Sequence, residues 1–140
     1  MDIMTGKERI SRILQRKPVD RIGLMEHFWS DTMKKWQGQG HIRQDENIAD
    51  HFGFDIENVA PFKMIANVDY GDRLSFCGSV DARNLVANDL KAIKAELETK
   101  IPVAKAGSGY ILSSDHSIPD ACNYETYRYF IDEGLKLGTY

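Results

Sequence analysis

Cysteine, clustered positive charge and long apolar runs are all scarce in this sequence, and each scarcity excludes something. The two cysteines, Cys77 and Cys122, stand far apart and form no CxxC pair. A disulfide scaffold is therefore disfavoured and a reducing, cytoplasmic setting is expected. No apolar run reaches the length of a membrane span, and Met1-Asp2-Ile3-Met4-Thr5-Gly6-Lys7 offers no signal-peptide core, so no membrane association is expected. The net charge is −3 with the basic residues scattered, and nucleic acid is not an expected partner. Internal repeats and low-complexity tracts are missing as well. What is present suits one folded domain: 140 residues, 42% hydrophobic against 28% charged, a ratio at which disorder is not expected.

Local signals divide the chain into elements. Thr5-Gly6-Lys7-Glu8 is a capping box, with the threonine hydroxyl taking the third amide and the glutamate reaching back. The helix behind it puts Ile10, Ile13 and Leu14 on one side and carries Arg12, Arg16 and Lys17 towards its negative pole, and Pro18 ends it. Asp20 to Met25 reads as a short strand. Ser30 is placed to cap a helix through about Trp36, with Met33 and Trp36 inward, and Gly38-Gln39-Gly40 breaks it. Asp45 is placed to cap a short helix over Ile48, Ala49 and Phe52, with Gly53 just past its end. Another strand is expected from Ile56 to Phe62, confined to an edge or an end by Pro61.

The turn-rich tract Asn67 to Asp72 is the best boundary. It divides the chain into residues 1–66, a link at 67–72, and residues 73–140. Leu74 to Gly78 reads as a buried strand. Asn88 or Asp89 caps an amphipathic helix with Leu90, Ile93 and Leu97 inward, closed by Lys100-Ile101-Pro102. A strand Tyr110 to Ser113 and a helix Asn123 to Leu137, packed through Tyr127, Phe130, Ile131 and Leu135, complete a β-α-β-α half. Strands joined through a helix of this length should be parallel with a right-handed crossover, which makes the fold class α/β.

Chemistry concentrates where strands end. Tyr110 to Ser113 runs into Ser114-Asp115-His116-Ser117, expected as an exposed turn. α/β proteins carry ligand-binding and catalytic side chains at that position. His116 beside Asp115 fits a base, an acid or a metal ligand; the same pair fits a solvated turn or a helix cap. Two further strand ends are polar, Asp81 and Glu26-His27, the latter followed by Phe28-Trp29. Glu26 reads either as a metal-binding or basic carboxylate, or as a partly buried acid paired with a nearby Lys or Arg. Trp29 and Trp36 read as core ahead of a stacking platform, and Cys77 as a small apolar packing residue.

In their order, these motifs resemble the uroporphyrinogen decarboxylase superfamily. Thr5-Gly6-Lys7-Glu8-Arg9-Ile10 with Lys17-Pro18-Val19-Asp20-Arg21-Ile22 is similar to the family's start. Phe76-Cys77-Gly78-Ser79-Val80-Asp81 resembles its F-x-G-n-[IVL]-D strand end. Gly109-Tyr110-Ile111-Leu112 with His116-Ser117-Ile118-Pro119, a helix and a terminal Gly138-Thr139-Tyr140 resembles its last barrel strand. Glu26, Phe28, Trp29, Thr32 and Trp36 point to a branch allied to cobamide-dependent methyltransferases.

The fold this resemblance implies is a (β/α)8 barrel, which takes about 250 residues. The N-terminal likeness runs to about Ile65 and the C-terminal one begins near Tyr70, so the expectation is a partial barrel without its central strands. The site it implies has His116, Glu26 and Asp81 as catalytic residues and His27, Asp115 and Trp29 as substrate-binding residues. An acidic tetrapyrrole or a corrinoid is the implied partner.

Family decarboxylases use no cofactor, and they hold the substrate with arginines near the first strand and with an aspartate and a tyrosine further on. The first strand here, Leu24-Met25-Glu26-His27-Phe28-Trp29, has no such arginine pair, and the aspartate and tyrosine segments fall in the missing middle; the resemblance leaves His116 alone matching a residue of that active site. The methyltransferase branch holds zinc through His-x-Cys and a distant Cys; His-x-Cys is absent, and His116 falls near the distant Cys. Zinc and corrinoid thus follow from resemblance alone. The expectation is a truncated family member with little independent decarboxylase or methyltransferase activity. The alternatives are a homo-oligomer that rebuilds a pocket through unpaired sheet edges, and a non-catalytic tetrapyrrole- or corrinoid-binding module.

Overall fold

Thr5 opens the first element of the computed structural model, which describes residues 4–56 and 75–140. Its hydroxyl accepts the Glu8 N–H at 3.3 Å and starts α1, Gly6–Leu14. Only half of the capping box forms, because Glu8 turns outward to Arg12, 3.1 Å away. The inward stripe of α1 differs from the expected one. Ile13 is fully buried, and Arg9, one turn earlier, is buried beside it, while Leu14 is 65% exposed. Positions four apart share a helix face, and Leu14 lies off the stripe that Arg9 and Ile13 define.

Three short strands form the sheet: β1 (Gly23–Leu24), β2 (Phe76–Cys77) and β3 (Tyr110–Leu112). All pairings are parallel, in the order β1-β3-β2, with Gly23 opposite Ile111 and Phe76 opposite Tyr110. The first strand in sequence therefore lies beside the last. Two apolar clusters cover the sheet. Leu24, Tyr110 and Leu112 pack with the C-terminal helices, and Met25 and Ile111 pack with Ile13 and Val19. Burial on both faces is why β1 and β3 read as short continuous apolar runs; β2, expected to be buried, is half-buried.

The remaining helices are α2 (Ser30–Gly38), α3 (Ile48–Phe52), α4 (Ala82–Val86), α5 (Leu90–Ala104) and α6 (Tyr124–Leu137). Trp29, not Ser30, is the N-cap of α2; its N–H is held by the Ile118 carbonyl at 3.1 Å, which keeps it extended. Asn47, not Asp45, caps α3 by accepting the Asp50 N–H at 2.9 Å, and Gly53 ends that helix in the left-handed conformation. Asp89 caps α5 through the Lys91 and Ala92 amides. That helix continues past Pro102 to Ala104, because Ile101 is buried and anchors its last turns. Leu90, in its first turn, is 44% exposed rather than inward. On α6, Tyr127, Phe130 and Ile131 are buried as expected, and Gly134 lets the helix lie against Leu112 of β3. Of the strand expected at Ile56 to Phe62 only Ile56 is described, outside any strand; the link at 67–72 lies outside the described residues. The described residues are thus an α/β unit with a parallel sheet, and they do not close into a barrel.

A buried ionic knot fixes β1. Arg9 forks onto Asp20 with two bonds of 2.7 Å and also reaches Asp55. Arg21 bonds Asp55 at 2.6 Å. Asp55 also bonds the strand itself: the oxygen that takes Arg21 accepts the Leu24 N–H at 2.9 Å as well, and the Asp55 N–H donates to the Leu24 carbonyl at 2.8 Å. Those groups of Leu24 point away from β3, so Asp55 occupies the outer edge of β1. The Arg9 guanidinium holds the Asp20 carboxyl far below its ordinary range.

Removing one member of such a buried set strands the others. Asp55→Ala is expected to cost about 3–5 kcal/mol in urea unfolding, whereas Glu8→Ala, which breaks an exposed pair, should cost under about 1 kcal/mol. A loss below about 1 kcal/mol for Asp55→Ala would show that the knot does not hold β1.

Candidate functional site

Beyond Leu24 the chain delivers Glu26 to the C-terminal end of the sheet. Its side chain is fully buried and caps the end of β3. One oxygen accepts the Ser114 N–H at 2.8 Å; the other accepts the Ser113 hydroxyl at 3.3 Å and the His27 N–H at 3.1 Å. Hydrogen bonds of this kind favour the carboxylate, and burial favours the neutral acid. Burial wins: it pushes the Glu26 carboxyl up to about 7 against those bonds. A carboxyl in that range can both give and take a proton near neutrality.

The loop after β3 is fastened to the segment after β1. Ile118 donates to the His27 carbonyl at 3.1 Å while Trp29 donates to the Ile118 carbonyl, and Thr32 donates to the same carbonyl at 2.8 Å. This brings His27, Trp29 and His116 together beside Glu26. Nδ1 of His27 is 3.7 Å from Glu26. Burial, and next the proximity of His116, lower the His27 imidazole below its ordinary value. His116 is exposed, with Nδ1 at 3.0 Å from the Ser117 carbonyl and its ring edge-on to Trp29 at 6.1 Å. Trp29 is 48% exposed, so it is a surface ring and not core, whereas Trp36 is fully buried.

The other expected site residues are tied into structure. Asp81 is the N-cap of α4 and forks onto Arg83 at 2.6 and 3.0 Å, which lowers its carboxyl. Asp115 accepts the Ala82 N–H at 2.9 Å and so fastens the β3 loop to α4. Ser114, expected in an exposed turn, is buried because its amide is the one Glu26 takes. Cys77 and Cys122 are both pushed up to about 12, chiefly by burial; neither thiol is a thiolate near neutrality.

Two features have no counterpart in the sequence reading. Ser113 and Ser114 complete the Glu26 site; a pair of serines closing an apolar strand was the available signal. Further off, Glu46, His51 and Tyr124 form a hydrogen-bonded chain, 3.0 Å from carboxylate to Nδ1 and 2.8 Å from Nε2 to the phenol, with His41 stacked on the Tyr124 ring at 4.3 Å. It joins α3 to the start of α6.

No protein-family model, no curated protein and no solved structure matches the chain. Among the described residues no group of three or more His, Cys, Asp or Glu could hold a metal ion, and His116 has no partner set for zinc there. No helix among them is long and apolar enough to cross a membrane.

The raised Glu26 carboxyl makes a signed prediction. Below about pH 4.5 it is protonated in both folded and unfolded chains; between there and about 7 only the unfolded chain ionises. Its contribution to stability is therefore full in acid and is lost as pH rises to 7, by about 3 kcal/mol. The difference in unfolding free energy between wild type and Glu26→Gln should fall by that order from pH 4.5 to 7.5. A flat difference would mean that Glu26 ionises normally.

Proposed function

We propose that the chain joins the two ends of a uroporphyrinogen decarboxylase-like (β/α)8 barrel and binds a small molecule at its strand ends, with little independent catalysis. The observation that carries this reading is the strand order. In a closed eight-stranded barrel the first strand pairs with the last, and the last with the one before it. The order β1-β3-β2 has that arrangement for a chain retaining only first, penultimate and last strands. Helices α4 and α5 then stand between the last two strands, and α6 follows the last, as in successive βα units.

The strand ends supply the rest. Glu26 is the buried carboxyl poised between its charged and neutral forms beneath this surface, and His116 with Trp29 offers an exposed aromatic surface for a flat ligand such as an acidic tetrapyrrole or a corrinoid. Asp81 and Asp115, committed to Arg83 and Ala82, are assigned to holding the loops. A second copy of the chain, if it completes the sheet, would have to displace Asp55 to pair with β1.

Titration with uroporphyrin and with hydroxocobalamin, followed by visible absorption, tests the reading. A saturable spectral change with at least one of them is expected, without release of carbon dioxide, and His116→Ala should weaken it roughly fivefold through loss of the ring contact. No spectral change with either ligand, or binding untouched by His116→Ala, would overturn it.

A further inference from the structure

Beside Glu26, between the end of β1 and α3, lies a cavity of about 370 Å³. Its wall is mainly apolar, with Phe28, Phe54 and Met33 among its residues, and Glu26, His27 and Asn47 are its polar members. Phe28 and Phe54 are stacked, 12° apart in plane, and give the cavity a flat aromatic side. Its size is at the lower end of ligand pockets and suits a single ring with a short substituent.

His27 lines this cavity and is in an unusual state. About a third of its side chain is exposed, yet both ring nitrogens are shut off from solvent and neither has a hydrogen-bond partner. What His27 shows to the outside is therefore carbon. A half-turn of the imidazole about Cβ–Cγ exchanges its carbon and nitrogen edges within almost the same outline. It would set a nitrogen where the exposed carbons now stand. Facing inward, both nitrogens go unpartnered, which is costly; turned outward, one of them meets whatever occupies the cavity, water or a ligand, so His27 gives the cavity one hydrogen-bonding nitrogen.

The chemistry of that ligand is restricted. A neutral imidazole offers one N–H and one lone pair, either of which a hydroxyl can meet. An anion would face the Glu26 carboxyl, 3.7 Å from the ring. An ammonium would leave water for an apolar cavity, and the Glu26 oxygens that could receive it already accept bonds from Ser113, Ser114 and His27. We propose that this cavity binds a small aromatic alcohol, with His27 turning to bond its hydroxyl. This goes beyond the tetrapyrrole or corrinoid reading of the exposed His116 and Trp29 surface, neither of which lines the cavity.

Four probes sharing one ring decide the matter: benzyl alcohol, toluene, benzylamine and benzoate, their affinities compared by ligand-observed NMR on the intact chain. A merely apolar cavity prefers toluene, because an unpartnered hydroxyl is costly to bury. The expected order is benzyl alcohol at least as tight as toluene and about tenfold tighter than benzylamine or benzoate. His27→Phe should reverse the alcohol-over-toluene preference. His27→Gln, which keeps a donor and an acceptor, should retain it and serves if the Phe variant does not fold. Tighter toluene, no binding of benzyl alcohol, or a preference unchanged in His27→Phe would overturn the proposal. If benzyl alcohol fails while uroporphyrin or hydroxocobalamin still binds, the cavity assignment alone falls. Failure of all three ligands removes the strand-end site as well.

Discussion

One carboxylate, that of Asp55, holds the position on which the rest of this molecule depends. It lies between two arginines from different parts of the chain and at the same time takes the Leu24 amide on the outer edge of β1. A strand of two residues has little ladder of its own to set its register. Here the register is set from both sides, by β3 on one edge and Asp55 on the other. A buried arginine with its partners satisfied is tolerable; with one removed it is an uncompensated charge. The C-terminus adds a further tie, through the Gly138 carbonyl to the Ile22 amide.

Because β1 is held, Glu26 is delivered to the end of β3, where it replaces the next rung of the ladder by accepting the Ser114 amide. The same residue thus closes the sheet and provides its most reactive group. Its environment pulls in two directions, donors favouring the anion and burial favouring the acid, and the balance leaves it able to change charge near neutrality. Around it the loops are tied strand to strand, which keeps His27, Trp29 and His116 on one side without any of them contributing to the core.

Much of the secondary structure was legible in the sequence because it is local. Thr5, Gly53 and the Asp89 cap work through residues within one turn, and the helix stripe of Tyr127, Phe130 and Ile131 follows from spacing alone. The parallel pairing of β2 with β3 followed from the intervening helix. What escaped was long-range. Arg9 stands outside the expected Ile10, Ile13 and Leu14 side of α1, and its burial follows only once Asp55, 46 positions on, is placed beside it. Ser30 looks like a cap, but Trp29 takes that place because Ile118 holds its backbone extended; at α3 the difference is local, Asn47 and not Asp45 accepting the Asp50 N–H. In the site, Glu26, His27 and His116 were visible as polar residues at strand ends. Asp81 and Asp115 looked the same in sequence, and only their partners Arg83 and Ala82 assign them to loop structure. The role of Ser114 depends on a backbone amide meeting a carboxylate 88 residues away, which no local pattern encodes.

The central claim is that Glu26 is a buried carboxyl poised near neutrality. Carbon-13 NMR of side-chain carboxyls, with the Glu26 signal assigned by its absence in Glu26→Gln, reads this directly. The account predicts a titration midpoint of about 7. A midpoint near the ordinary glutamate value of about 4.3 would contradict it and would remove Glu26 as a group able to change charge near neutrality.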